Sequence, residues 1–396
     1  MSVDPFAPAA LGPLQLRNRF IKAATFEGMA EGGLSSSRLV DFHRAMARGG
    51  LGMTTVAYLA VSEDGQGAPA EIVVRPEAAS GLRQLADAVH AEGAAISAQI
   101  GHAGPVAAGT GRKGLAPSRI FSAMALRFTR AIDERDMARI ERDFVQAARI
   151  LQDAGFDALE LHLGHNYLLS AFLSPALNKR KDRFGGAIAN RAEFPRQVVR
   201  AVREAVGPSM ALLAKLNMAD GYPGGIWLDE SVEAARLLES DRTLDALELT
   251  GGSSLKNPMY LFRGEAPIEE MAKAFPQPLR TGFKLMGSRF LPSYPFEEAY
   301  FLPYARQFRA ALSMPLVLLG GINRLETVRT ALAEGFGFVA MGRAHLREPD
   351  LLARWQRGDV REALCIHCNK CMPTIYSGTH CVLVPPDERP GHRTHR

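Results

Sequence analysis

The sequence predicts a (β/α)8 barrel with loop excursions and a short cysteine-containing C-terminal extension. Eight short apolar segments alternate with helix-like segments along the 396 residues. Most of those segments are apolar on both faces, as a parallel sheet enclosed by helices requires. No G-x-G-x-x-G follows the first of them, so nothing marks two dinucleotide-binding halves.

Each element has a local reason. Residues 19–25 (RFIKAAT) read as the first strand, and Ser37–Arg48 as a helix stopped by Gly49-Gly50. The second strand is 51–57. The helix over 76–91 has Pro76 at its start and Gly93 beyond its end. After the third strand, 95–100, a polar and glycine-rich excursion covers 101–131. A long amphipathic helix, 136–154, closes at Gly155. The fourth strand is 158–161 with its helix over 190–206, and the fifth is 210–216. Asp229 is the expected N-cap of the next helix, 229–239. The sixth strand, 246–249, precedes a stretch to about residue 294 with no clear period. Residues 295–312 read as helical. Leu316–Leu319 is the seventh strand, 325–334 its helix, Phe338–Met341 the eighth strand, and 349–355 the start of a last helix. The expected domains are the barrel over 1–360, a cysteine-rich extension over 361–385, and a disordered, polar, proline-containing tail over 386–396.

Composition narrows the function. Hydrophobic residues at 47% and charged residues at 22% suit a globular enzyme. No apolar run has the length of a membrane span. The start, MSVDPFAPAALGPLQLRNRF, lacks the basic and then apolar pattern of a secretory signal, so a cytoplasmic location is expected. The net charge of +5 is spread along the chain without the basic stripe of a nucleic-acid reader. The expected partner is a small-molecule substrate, with neither nucleic acid nor membrane.

Chemistry concentrates in 156–194, where the fourth strand delivers His162, His165 and Tyr167 into one loop. Barrel enzymes place their reacting groups at such strand ends. Two imidazole N–H donors can hold and polarise a carbonyl oxygen, and a phenol can donate a proton at neutral pH. Zinc is the other use of paired histidines, but no third ligand stands nearby at metal-site spacing, so no metal is expected there. Gly320-Gly321 after the seventh strand and Gly342-Arg343 after the eighth suit a phosphate, with backbone N–H groups and a guanidinium as donors. Gln99 ends the third strand. Lys215, inside an apolar strand, must pair with something.

The run H-x-x-H-x-Y, then L-L-x-x-F-L-S-P, N-x-R-x-D-x-F-G-G and N-R-x-x-F, resembles the Old Yellow Enzyme family of FMN-dependent ene-reductases. The wider group includes 2,4-dienoyl-CoA reductase and trimethylamine dehydrogenase. The likeness recurs from about residue 11 to about 355. It implies FMN, reduced by NADH or NADPH, and reduction of an activated C=C bond. It places the FMN phosphate at Gly320, Gly321, Gly342 and Arg343, and the flavin ring edge at Gln99. Lys215 falls beside the flavin N1–C2 region, and Ala24, Thr25 and Ala57 lie against the ring. His162 and His165 are implied as the substrate anchor and Tyr167 as the proton donor. Relatives form dimers or larger assemblies, so a homo-oligomer is expected.

Phe26 departs from the family pattern, in which a hydrogen-bonding residue faces the flavin at about this point, and it is expected to shape the substrate site. Cys365, Cys368 and Cys371 resemble the start of the motif that holds a four-iron, four-sulfur cluster in the longer relatives. The shorter gap before Cys381, and a chain that ends without their second flavin- and nucleotide-binding domain, weigh against a cluster. A plain thiol group or a zinc site stands as the preferred expectation. Two alternatives to the ene-reductase remain at this stage: an iron–sulfur flavoprotein dehydrogenase, and a non-catalytic FMN-binding barrel.

Overall fold

The fold is read from a computed structural model, and residues 3–107, 113–122, 125–273 and 275–391 are described. Parts of two expected segments, 108–112 and 123–124 of the first excursion and 392–396 of the tail, lie outside the described residues.

Eight parallel strands close into a barrel. They are β1 (Phe20–Lys22), β2 (Met53–Ala60), β3 (Ala95–Gly101), β4 (Ala158–Leu163), β5 (Ala211–Asn217), β6 (Ala246–Thr250), β7 (Leu316–Leu319) and β8 (Phe338–Met341). Each pairs with the next, and β8 returns to β1 with Val339 opposite Phe20. The main covering helices are α1 (Ser37–Arg48), α2 (Ala79–His90), α3 (Glu134–Asp153), α4 (Glu193–Val206), α5 (Leu228–Ser240), α6 (Leu302–Ala311), α7 (Leu325–Ala333) and α8 (Leu351–Arg357). The apolar side chains between helices and strands form one continuous buried layer, from Phe42 of α1 to Trp355 of α8.

The barrel interior has two different halves. At the N-terminal end, the hairpin of Ala9–Leu11 with Leu14–Leu16 packs onto Ile21, Ala158, Leu213, Val317 and Phe338 as an apolar plug. Toward the other end the buried side chains Lys22, Gln99, Glu160, Lys215 and Glu248 form a charged layer. An interior filled with side chains is a packed core and not a pore.

Three elements differ from the sequence reading. Helix α3 starts at Glu134 because Asp133 accepts from Asp136 N at 2.8 Å and the Asp136 carboxylate accepts in return from Asp133 N at 3.0 Å. Asp229 is not the cap of α5: Trp227 holds that position without a side-chain bond, and Asp229 lies in the first turn, where a negative charge complements the helix dipole. The stretch after β6 contains short helices, Pro258–Phe262, Ile268–Ala272 and Leu279–Phe290, and α6 begins only at Leu302.

The C-terminal extension folds back onto the barrel mouth. Asn323, after β7, donates to Cys365 O at 2.8 Å. A tight turn over Met372–Tyr376 reverses the chain, and Thr379 then donates through Oγ1 to Phe26 O at 2.5 Å and through N to Glu27 O at 2.7 Å. Gly28 has φ of 62°, and a Cβ there would stand 2.1 Å from Ile375 O, so only glycine lets the two segments meet. Another tight turn, Pro386–Glu388, and a bond from Arg389 Nε to Val384 O at 2.8 Å carry the chain to residue 391.

Candidate active site

The site begins with a bend after β4. His165 and Asn166 both take left-handed backbone, φ 58° and 61°, which turns the His165 ring toward β5 and β6. His165 N donates to Asn217 Oδ1 at 3.0 Å, and its Nε2 shares a hydrogen bond with Thr250 Oγ1 at 3.0 Å. The three predicted residues meet: the ring of His162 stands 5.1 Å from that of His165 and 4.4 Å from that of Tyr167, centre to centre. Tyr58, which the sequence reading missed, closes the group at 5.1 Å from Tyr167. Ala57, Tyr58, Ala60 and Val73 form a small apolar cluster on which Ala24 and Tyr167 pack.

Burial sets the protonation of this group. It drives His162 well below the usual imidazole range, helped by His165 and Lys215, and lowers His165 to about 3, helped by Lys215. Both rings are therefore neutral at pH 7, each with one N–H. His162 Nδ1 is buried without a protein partner. Tyr167 moves the other way: burial and the nearby Glu71 raise its pKa, so the phenol keeps its proton.

Beneath lies the charged layer. Lys215 Nζ stands 3.1 Å from Glu160 Oε1 and 2.9 Å from Glu248 Oε1, and Gln99 Nε2 donates to Glu160 Oε1 at 2.6 Å. Lys215 thus has the pairing that a lysine in an apolar strand demands. Burial opposes its ammonium, but the two carboxylates outweigh that and raise its pKa. Burial and Glu160 push Glu248 up to about 8. A second buried set joins Lys22 to Glu27, which also accepts from Ala57 N at 2.8 Å.

The glycine turns sit as predicted at the ends of β7 and β8. Gly320 and Gly321 have φ of 116° and 69°. A Cβ on Gly342 would stand 3.2 Å from Thr25 Cγ2, so the turn after β8 adjoins the segment that follows β1. Thr25 Oγ1 is buried and unpaired. The Arg343 guanidinium donates to Arg263 O at 3.1 Å, Asn369 Oδ1 at 2.5 Å and Tyr300 Oη at 3.3 Å.

Those bonds lead to the cysteines. Cys365, Cys368, Cys371 and Cys381 line one small recess together with Arg343, Arg347, His367 and Asn369. The turn after Cys371 offsets the sequence gap and brings Cys381 beside the other three. Burial raises the Cys371 thiol to about 12, opposed by Arg343, with the other three cysteines adding to the rise. Among the described residues, no three His, Cys, Asp or Glu side chains converge on a point that would hold a single metal ion.

Residues 4–248 match the profile of the NADH:flavin oxidoreductase / NADH oxidase family. The chain belongs to that family. Among curated relatives it is 56% identical over 380 residues to a 4,4'-dithiodibutanoate disulfide reductase of Rhodococcus erythropolis, covering 96% of this chain and 94% of that one. It is 32% identical to a metal reductase of Desulforamulus reducens, covering 94% of this chain but only 52% of the relative. Among solved structures, morphinone reductase superposes with a TM-score of 0.72 at 24% identity over 92% of this chain and 94% of its own, a likeness of fold. This NADH:flavin oxidoreductase is thus an enzyme of the Old Yellow Enzyme group that uses FMN and NAD(P)H.

Its residues fit the cofactor. Thr25 Oγ1, buried and unpaired, and the amide of Gln99, which also bonds Glu160, are polar groups suited to a flavin ring, while beyond the turn after β7 Asn323 N and Arg324 N already donate to Glu298 Oε1 at 2.9 and 3.0 Å. Sequence reasoning missed Glu160, Glu248 and Tyr58. The two glutamates carried a signal, since A-L-E-L occurs at 158–161 and again at 246–249, a charge inside an apolar strand each time. No helix among the described residues is long and apolar enough to cross a membrane.

Proposed function

We propose that this oxidoreductase reduces a small electrophile with NAD(P)H, and that an organic disulfide is the acceptor it fits best. The cluster of His162, His165 and Tyr167 carries the reading: two neutral imidazoles and a protonated phenol meet at one barrel mouth. The 56% identical disulfide reductase supports the choice of acceptor. Bound FMN would supply hydride chemistry between the nicotinamide and the acceptor.

The chain's own residues do the rest. An imidazole N–H directed at the acceptor stabilises the negative charge that develops on the departing sulfur, and it does so in a water-poor site where such a bond is strong. Tyr167 then gives its phenolic proton to that sulfur and regains one from solvent. One hydride and one proton turn RSSR into two RSH, with NAD(P)H oxidised. Asn217 and Thr250 hold the His165 ring in place.

A second reading, reduction of an α,β-unsaturated carbonyl, is favoured by the same pair of histidines, which suits a carbonyl oxygen. Tyr167 would then protonate the α-carbon. Anaerobic assays with NADH and NADPH against 4,4'-dithiodibutanoate and a cyclic enone separate the two. If neither acceptor oxidised the nicotinamide, both readings would fail.

The recess supports a resident iron–sulfur cluster, because four cysteines line one pocket. We include that cluster in the proposal; iron and acid-labile sulfide per chain test it. A cytoplasmic location, which suits four free cysteines, and a homo-oligomer belong to the same proposal. Fractionation and light scattering read them.

A further inference from the structure

His367 is the odd residue of the recess. It lies between Cys365 and Cys368 with left-handed backbone, φ 56°, a conformation that glycine adopts without strain and histidine does not. Its ring stacks flat on Phe296, centres 3.5 Å apart and planes within 10°. The residue is only 6% exposed, and neither ring nitrogen has a hydrogen-bond partner.

A buried N–H without an acceptor is costly, so an acceptor belongs in the recess. The neighbouring polar side chains do not supply it. Asn369 spends its amide on Arg263 O and Glu265 O, both at 2.9 Å, and accepts from Arg343 through Oδ1. Arg347 Nε, also on the recess wall, is a second buried donor without a partner. Two unpaired donors on a wall that carries four thiols imply an occupant rich in acceptor atoms.

Resting on the cluster reading above, we propose that His367 is a positioning residue for that occupant: its ring N–H hydrogen-bonds a sulfur of the iron–sulfur group and raises its reduction potential. A donor to sulfur favours the reduced state, which carries the extra negative charge. The stack on Phe296 fixes the ring plane of a residue that lines the recess.

The test uses the intact holoprotein, purified anaerobically, as wild type, His367→Phe and His367→Gly. The first variant keeps an aromatic ring for the stack and removes the N–H. The second relieves the backbone. Iron and sulfide content, the cluster midpoint from a mediated EPR titration, and the exchangeable-proton coupling of the reduced cluster in H2O against D2O are read. Expected are unchanged iron, a lower midpoint in both variants, and loss of one exchangeable coupling. An unmoved midpoint and coupling in iron-loaded variants would overturn the assignment while leaving the cluster in place. Loss of iron from both variants would also overturn it, since His367 would then serve assembly and not potential. Iron-free wild type would sink the cluster reading as well.

Discussion

Replacing Lys215 with methionine should destabilise the barrel by about 3–5 kcal/mol, the usual cost of removing one member of a buried ion pair. The structure shows why. Lys215 stands 3.1 Å from Glu160 and 2.9 Å from Glu248 with its side chain 2% exposed. At an effective dielectric of about 20, one such contact carries roughly 5 kcal/mol of attraction, offset in part by the desolvation of the ammonium. Only one contact counts fully at pH 7, because Glu248, raised to about 8, is mostly protonated there. Lys215 and Glu160 thus make a neutral pair, and methionine leaves Glu160 buried without its ammonium, with Gln99 Nε2 as a remaining donor. Glu248→Gln should therefore cost under about 1.5 kcal/mol, the scale of one ordinary hydrogen bond. Lys215→Met with Glu160→Gln should recover much of the single loss. Urea unfolding of all four proteins at pH 7 is the assay. A Lys215→Met loss below about 1 kcal/mol, or a double variant no better than the single, would refute the neutral-pair account.

Glu71 tests the pH dependence. Burial raises its carboxyl from 4.5 to about 8, so its contribution to stability is full below 4.5 and is lost as pH rises through 8. Glu71→Gln should flatten that decline, by about 3–5 kcal/mol between pH 5 and 9; parallel stability curves for the two proteins would refute it. His162→Ala should slow acceptor reduction by about 10²–10³ and Tyr167→Phe by about 10²–10⁴, with flavin content and nicotinamide oxidation rate unchanged in stopped-flow half-reactions. Arg343→Ala should lower both flavin and iron per chain, because its guanidinium ties the turn after β8 to Asn369. Full flavin occupancy after desalting would remove its phosphate role, and full iron would remove the tie.

The barrel strands were legible because each is a short apolar run closed by turn residues. The cluster of His162, His165 and Tyr167 was legible because its three members fall within six residues at one strand end. Other features were hidden for physical reasons. The N-terminal hairpin is two runs of three residues, too short to show alternation. The helices after β6 are interrupted by Pro258, Pro267 and Pro278 and by Gly282 and Gly287, which break any periodic signal. Glu71 looks like a surface residue, and only the folded chain buries it, with Gly67 N donating to its carboxylate at 2.5 Å. The gap before Cys381, shorter than in the longer relatives, weighed against a shared site, whereas a single tight turn brings it to the recess of the other thiols.

The bond from Thr379 to Phe26 spans 353 positions of the chain. During synthesis the segment after β1 emerges early and is fixed late, since its partner leaves the ribosome 353 residues behind it. The barrel strands and glycine turns can assemble before that point, so the floor of the mouth is ready while one wall is still loose. Loading of the cofactor and the closing of its surroundings thereby become ordered in time, with translation itself as the clock.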